Sequence, residues 1–177
     1  AAGMLALERT ENAYPRLIRG LVTPGRLLGE KVVLSAGCAT AVTLAMAAFV
    51  SLFVHLDWSR FELWVVALAL GSAAFGALGV TIGAIAREVS AASLMAFLVS
   101  LPIAFVALVP ASAVSGALKS ILDVIAFLFP FKAALQAVSN AFSGTSPPIG
   151  LPLVHLAVLA VVFGAIATLS MRRFAAR

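Results

Sequence analysis

Four stretches of this chain stay apolar for about the length needed to cross a lipid bilayer, and that feature leaves few folds open. The hydrocarbon core is ~30 Å thick, so a spanning helix needs roughly 20 mostly apolar residues. Residues 32–54, 63–86, 91–109 and 151–171 meet that length. The first is rich in Ala, Val and Leu, with Ser, Thr and Cys as its polar members. The second is entered through Phe61 and Trp64, aromatic residues suited to the membrane interface. The third is interrupted by Pro102. The expected fold is therefore all-α, a polytopic membrane helix bundle with four spanning helices.

Composition agrees. Of 177 residues, 63% are hydrophobic and 11% charged, against about 45–50% and 25% in soluble domains. An ordinary cytosolic enzyme, a disordered tail and a disulfide scaffold are excluded. Cys38 stands alone inside an apolar run, so the chain holds no disulfide framework or thiolate metal site.

A fifth apolar stretch, residues 121–131, is short, contains Asp123, and is followed by Pro130 and Lys132. A run of about 10–14 residues reads as a re-entrant or interfacial helix. Pro130 breaks it, and residues 131–142 make a second short helix returning to the same surface. Gly144, Pro147, Pro148 and Gly150 mark the turn into the last span. Phe127, Phe129 and Phe131 read as an apolar plug near the outer leaflet, a possible outer gate that includes Pro130. Asp123 faces the mouth of that gate or simply caps and solvates the helix end; the second reading is favoured.

Charge position supports four spans. One side then holds Arg9, Arg16, Arg19, Arg26, Lys31, Arg87, Arg172, Arg173 and Arg177, and the other Arg60, Lys119 and Lys132. The positive-inside rule makes the first side, with the carboxyl terminus, cytoplasmic. The +5 net charge follows from this asymmetry and does not imply nucleic acid. Four sections result: 1–31, the end of a preceding span with a cytoplasmic segment; 32–109, three spans; 110–150, extracytoplasmic re-entrant helices; and 151–177, the last span and a basic tail. Ala1 to Leu7 reads as the tail of an earlier apolar helix, which predicts further spans upstream.

Within the cytoplasmic segment, Leu7, Tyr14, Leu17, Ile18, Leu21 and Val22 share one helical arc, with Arg9, Asn12, Arg16 and Arg19 opposite. Pro15 belongs in a first turn, so a short amphipathic helix over 15–22 is expected. Thr23 before Pro24 is a second helix start, a hydroxyl cap with proline at the first helical position. Periodicity admits two uses for the 15–22 helix: a membrane-surface anchor with snorkelling arginines, or a docking element for a soluble partner.

The order of these features resembles the permease subunit of type-two family ABC exporters. Leu7-Glu8-Arg9, Arg16-Leu17, Thr23-Pro24 and Leu27-Leu28-Gly29-Glu30-Lys31 are similar to that family's coupling region leading into its third span. Gly79 to Arg87 looks like the glycine-rich end of its fourth span, and Phe129-Pro130-Phe131 resembles the proline between its two re-entrant helices. Many members carry Gly-Thr where this chain has Ala13-Tyr14-Pro15. The resemblance implies six spans, of which these would be the last four. It also implies a coupling helix whose docking residues are Pro15, Arg16, Leu17, Ile18, Arg19 and Leu21. The implied partners are an ABC ATPase subunit carrying ATP and Mg, a second permease subunit in a homo- or heterodimer, and the lipid bilayer of a prokaryotic cytoplasmic membrane. Drug, lipid and polysaccharide exporters belong to the family.

The residues themselves carry no phosphate-binding G-x-x-x-x-G-K-[ST] loop, so ATP-driven transport needs hydrolysis on another chain and no cofactor is expected here. A charge at mid-membrane costs ~2.5–3.5 kcal/mol on insertion scales, and the spans carry none at that depth. A secondary carrier and an intramembrane enzyme are thereby disfavoured. A structural or assembly membrane protein is the remaining alternative. His55 and His155 read as interfacial histidines. Ser72, Gly76, Gly79 and Gly83, spaced by three and four, allow close helix approach, for ordinary packing or for an interface that slides. Pro102 is a kink or a hinge.

Overall fold

The computed structural model describes residues 24–53, 58–86, 88–108, 116–142 and 149–175, and among them it is all helical, without a strand. Helix α1 is Pro24–Val50, α2 Phe61–Ile85, α3 Val89–Leu108, α4 Ala117–Leu128, α5 Pro130–Phe142 and α6 Gly150–Ala175. A short 3-10 turn, Trp58–Arg60, leads into α2.

Pro24 opens α1, where its missing N–H costs nothing. An exposed Arg26–Glu30 pair at 3.5 Å, one turn apart, follows it. The helix then runs through position 31 without a break, so residues 24–31 and the first span form one rod. Among the described residues three helices are long and apolar enough to cross a membrane: Leu28–Val50, Phe61–Ile85 and Gly150–Met171. The expected third span corresponds to α3, which is 20 residues long and carries Pro102 inside it. The pair Lys119–Leu128 and Pro130–Phe142 is bent by 81°, so its halves do not form one straight span.

The break between α4 and α5 follows from the chain's covalent chemistry. Phe129, the residue before proline, is extended at φ −115° and ψ 144°, as proline's ring requires of its predecessor. Pro130 then occupies the first position of α5. The break therefore falls at Phe129, and Pro130 opens the second helix rather than ending the first. At the other end of α4, Gly116 has φ 68°, a conformation suited to glycine.

Helix α2 is the centre of the bundle. Ala67, Gly71, Ala74, Ala77 and Ala84 are all buried on it, and their small side chains admit neighbours on several sides. Side-chain contacts fix the directions. Leu28 near the start of α1 lies in one buried cluster with Val80 and Ala84 of α2 and Ala167 and Met171 of α6. Trp64 and Ala74 of α2 lie in another with Leu156 of α6. Helices α2 and α6 thus run parallel and α1 antiparallel to both. The start of α1, the end of α2 and the end of α6 share one end of the bundle. Outward faces of α1 and α6 remain apolar, with Val33, Met46, Phe49, Val154 and Val161 exposed, as expected of helices in a lipid solvent.

Candidate functional site

The bent pair is the feature a simple bundle does not need, and α2 holds it in place along three contacts. Phe131, just past the bend, meets Phe75 edge to face, with ring centroids 6.2 Å apart. Ala134 packs beside Gly71. Near the end of α5, the Ala141 carbonyl accepts a hydrogen bond from the Trp64 indole N–H at 3.0 Å. Helix α5 therefore runs back along the first half of α2, and the bend lies at mid-height of α2.

Trp64 departs from the interfacial role expected of it: its side chain is 1% exposed. It stacks on Phe142 with centroids 4.3 Å apart and supplies a donor to one of the last carbonyls of α5, which lack intrahelical partners. The fold-back of α5 covers it. Phe61, 42% exposed, remains outside that cover.

The opposite arm of the bend is tied to α6. His155 Nε2 lies 2.9 Å from the Phe127 carbonyl oxygen; the oxygen can only accept, so this nitrogen donates. That carbonyl is in the last turn of α4, where the change of direction removes its helical partner. His155 therefore acts as a cap on α4, and its ring tilts against Phe127 at a centroid distance of 5.0 Å. Run length and hydropathy contain no sign of this bond.

Asp123 faces Lys132 across the bend, with an oxygen–nitrogen distance of 3.4 Å and both side chains well exposed. Such a pair contributes ~1 kcal/mol or less. The three phenylalanines of the expected gate go to separate places. Phe127 is exposed beside His155, Phe129 is half-buried at the break, and Phe131 packs on Phe75. Pro130 is fully buried.

The small residues of α2 also divide. A Cβ on Gly76 would lie 2.7 Å from Ser35 Oγ and 3.5 Å from the Val32 carbonyl oxygen, so this glycine sets the approach of α1. Gly83 is buried and Ser72 half-buried. Gly79 borders a cavity of about 470 Å³ between α2, α3 and the bend. On the α6 side, Thr81 Oγ1 lies 2.8 Å from both the Ala77 and the Phe163 carbonyl oxygens, with one proton to share between them. The expected docking residues Pro15, Arg16, Leu17, Ile18, Arg19 and Leu21, like His55, lie outside the described residues. Among the described residues no group of three or more His, Cys, Asp or Glu is placed to hold a metal ion.

Long apolar helices around a central small-residue helix define a multi-pass membrane protein. A family model described as ABC-2 family transporter protein matches residues 1–169, and the chain belongs to that family. It is a permease subunit of an ABC transporter, and membership of the family implies a partner ABC ATPase. Comparison with curated proteins and with solved structures returns no match.

Proposed function

We propose that this subunit is the non-catalytic half of an ATP-driven exporter, building the path for a hydrophobic or amphiphilic substrate such as a drug, a lipid or a lipid-linked polysaccharide. The observation that carries this reading is the family match over residues 1–169, joined to a sequence without a phosphate-binding loop. Energy then has to enter from a separate nucleotide-binding chain. Two permease subunits, identical or related, enclose the path.

The end of the bundle that gathers the start of α1 and the ends of α2 and α6 is the cytoplasmic end in this reading. Arg26, Lys31, Arg172 and Arg173 belong to it by sequence position, in keeping with the positive-inside rule for a prokaryotic cytoplasmic membrane. The bent α4–α5 pair then dips in from the outer side as a re-entrant element. The 15–22 segment is the coupling helix: Leu17, Ile18 and Leu21 fill a groove of the ATPase, while Pro15 starts the helix and Arg16 and Arg19 contact the groove's rim. Closure of the ATPase dimer on ATP and Mg pushes this helix and tilts the spans from inward-facing to outward-facing.

The test is reconstitution of the full-length subunit with its ATPase partner in vesicles, followed by substrate-stimulated ATPase and transport assays. Apolar anchors generally matter more than rim charges at an interface. Leu17→Asp and Ile18→Asp are therefore expected to uncouple hydrolysis from transport more severely than Arg16→Ala. Full transport by both aspartate variants would remove the coupling role.

A further inference from the structure

The cavity between α2 and α3 is a candidate ligand site that the transport reading does not use. The two helices touch near their connecting turn, where Ala86 and Ala92 are buried with Ile82 and Val89 around them. Beyond that turn they part, and the space between residues 75–82 and 96–103 stays open, closed at one end by Pro130 and Phe131. We propose that this cavity holds one acyl chain of a bilayer phospholipid, as a resident lipid site within a single subunit.

Volume comes first. About 470 Å³ lies inside the ~300–1,000 Å³ range of small-molecule sites. The wall chemistry then narrows the occupant. Phe75, Leu78, Ile82, Phe97, Leu101 and Phe131 supply most of the lining. Among the described lining residues the one side-chain hydroxyl, that of Ser100, donates to the Phe97 carbonyl of its own helix at 3.2 Å. Among the described residues no side-chain charge or amide lines the wall, so these residues offer a headgroup, a sugar or a nucleotide nothing to bind. An apolar cavity of this kind stays dry, and left empty it forfeits dispersion contacts along its whole lining. Hydrocarbon restores those contacts.

Position selects a chain that arrives from the bilayer. Phe75 is near the middle of α2 and Ser100 near the middle of α3, so the cavity lies at the level of lipid tails. Phe97 and Leu101, 59% and 45% exposed, stand at its open edge on the outside of the described helices. From Ala96 to Ile103 the site extends about 10 Å at 1.5 Å per residue, a shape suited to a flexible linear chain. The chain touches the bend where Phe131 meets Phe75, and so braces the α4–α5 pair against α2.

Photolabelling tests the assignment. The full-length subunit is placed in phosphatidylethanolamine and phosphatidylglycerol vesicles containing a phospholipid with a diazirine on its acyl chain. A parallel set carries the diazirine on the headgroup, and labelled peptides are mapped by mass spectrometry. The acyl probe is expected to label the segment around Phe97 and Ser100, and Phe131, well above the exposed Met46 and Phe49 face of α1. The headgroup probe should leave the cavity unlabelled. Ala96→Phe and Ser100→Phe fill the space, and each should reduce cavity labelling to the α1 level without altering labelling of α1, which reports an intact fold.

Equal labelling of the cavity and the α1 face in the unmodified protein overturns the proposal, with no variant needed. Persistence of the signal in both filled variants overturns it too. If an added single-chain amphiphile clears the label while excess unlabelled phospholipid does not, the cavity belongs to the transport path and the resident-lipid assignment fails. The assay requires neither ATPase nor transport, so its result is independent of the exporter reading.

Discussion

Two of the long helices packed on α2, namely α6 and α3, meet it in opposite ways. Against α6 it packs closely: Val80 and Ala84 are buried against Ala167 and Met171, and Thr81 bridges to the Phe163 carbonyl at 2.8 Å. Against α3 it closes near the turn and then leaves a cavity of about 470 Å³. The difference lies in side-chain size and backbone continuity. Small residues on the α6 side let the backbones approach. On the α3 side the large side chains of Phe97, Leu101 and Ile103 line the gap, close to Pro102, whose ring cannot continue the backbone ladder. A membrane helix meets no hydrophobic drive to close such a gap, because lipid tails are as apolar as the side chains themselves. Closure therefore has to be built from shape and hydrogen bonds, and here it is built on one side of α2.

Substitutions can break that contrast, the tight side first. Trp64→Ala removes a fully buried indole, its stack on Phe142 and its bond to Ala141. About 3–5 kcal/mol of stability should go with it, as for other buried aromatic truncations, measured by unfolding in mixed micelles. Trp64→Phe, which keeps a ring and loses the donor, should cost about 1–3 kcal/mol for the carbonyl left unpaired.

The next effect comes at the α1 crossing. Gly76→Ala places a Cβ 2.7 Å from Ser35 Oγ and should cost about 1–3 kcal/mol as an overpacking change. The double variant Ser35→Ala/Gly76→Ala removes the clashing oxygen, so most of that loss should return. A failure of this rescue in the same unfolding assay would mean that the Val32 backbone, rather than Ser35, limits the approach.

Two hydroxyls sharpen the comparison further. Thr81→Val deletes the bridge to α6 and should cost ~0.6 kcal/mol, the average for interhelical bonds in membranes, and up to about 1.7. Ser100→Ala, on the cavity side, deletes a bond within its own helix at an exposed position and should stay within about 0.5 kcal/mol of the unmodified protein. Equal costs for the two would contradict the division of α2 into a tight side and an open one.

Much of the fold was legible from run length. Residues 63–86 and 151–171 correspond to Phe61–Ile85 and Gly150–Ala175. The short helix pair was legible too, because proline chemistry acts between adjacent residues; the break lies one residue before Pro130, where the constraint on its predecessor applies. Family membership was readable through the order of loose motifs along the chain. Trp64 was misread as interfacial because its cover comes from α5, and nothing near position 64 signals that. The bond of His155 to the Phe127 carbonyl was not legible either, because a backbone carbonyl has no signature in side-chain identity. The Gly76 and Gly79 spacing announced close approach without saying that one glycine meets α1 and the other borders an open space.

Hydropathy adds up locally, residue by residue, so the sequence by itself determined that the chain enters a bilayer, roughly where it crosses, and where proline bends it. Which faces meet depends on groups far apart along the chain, such as Trp64 with Ala141, 77 positions on, and Thr81 with Phe163, 82 positions on. Those pairings are selected by complementary shape and by carbonyls left over at bends and helix ends, and they exist only once the helices are assembled. Tertiary structure therefore decided that α2 is the centre, that it is sealed against α6, and that it stands open toward α3.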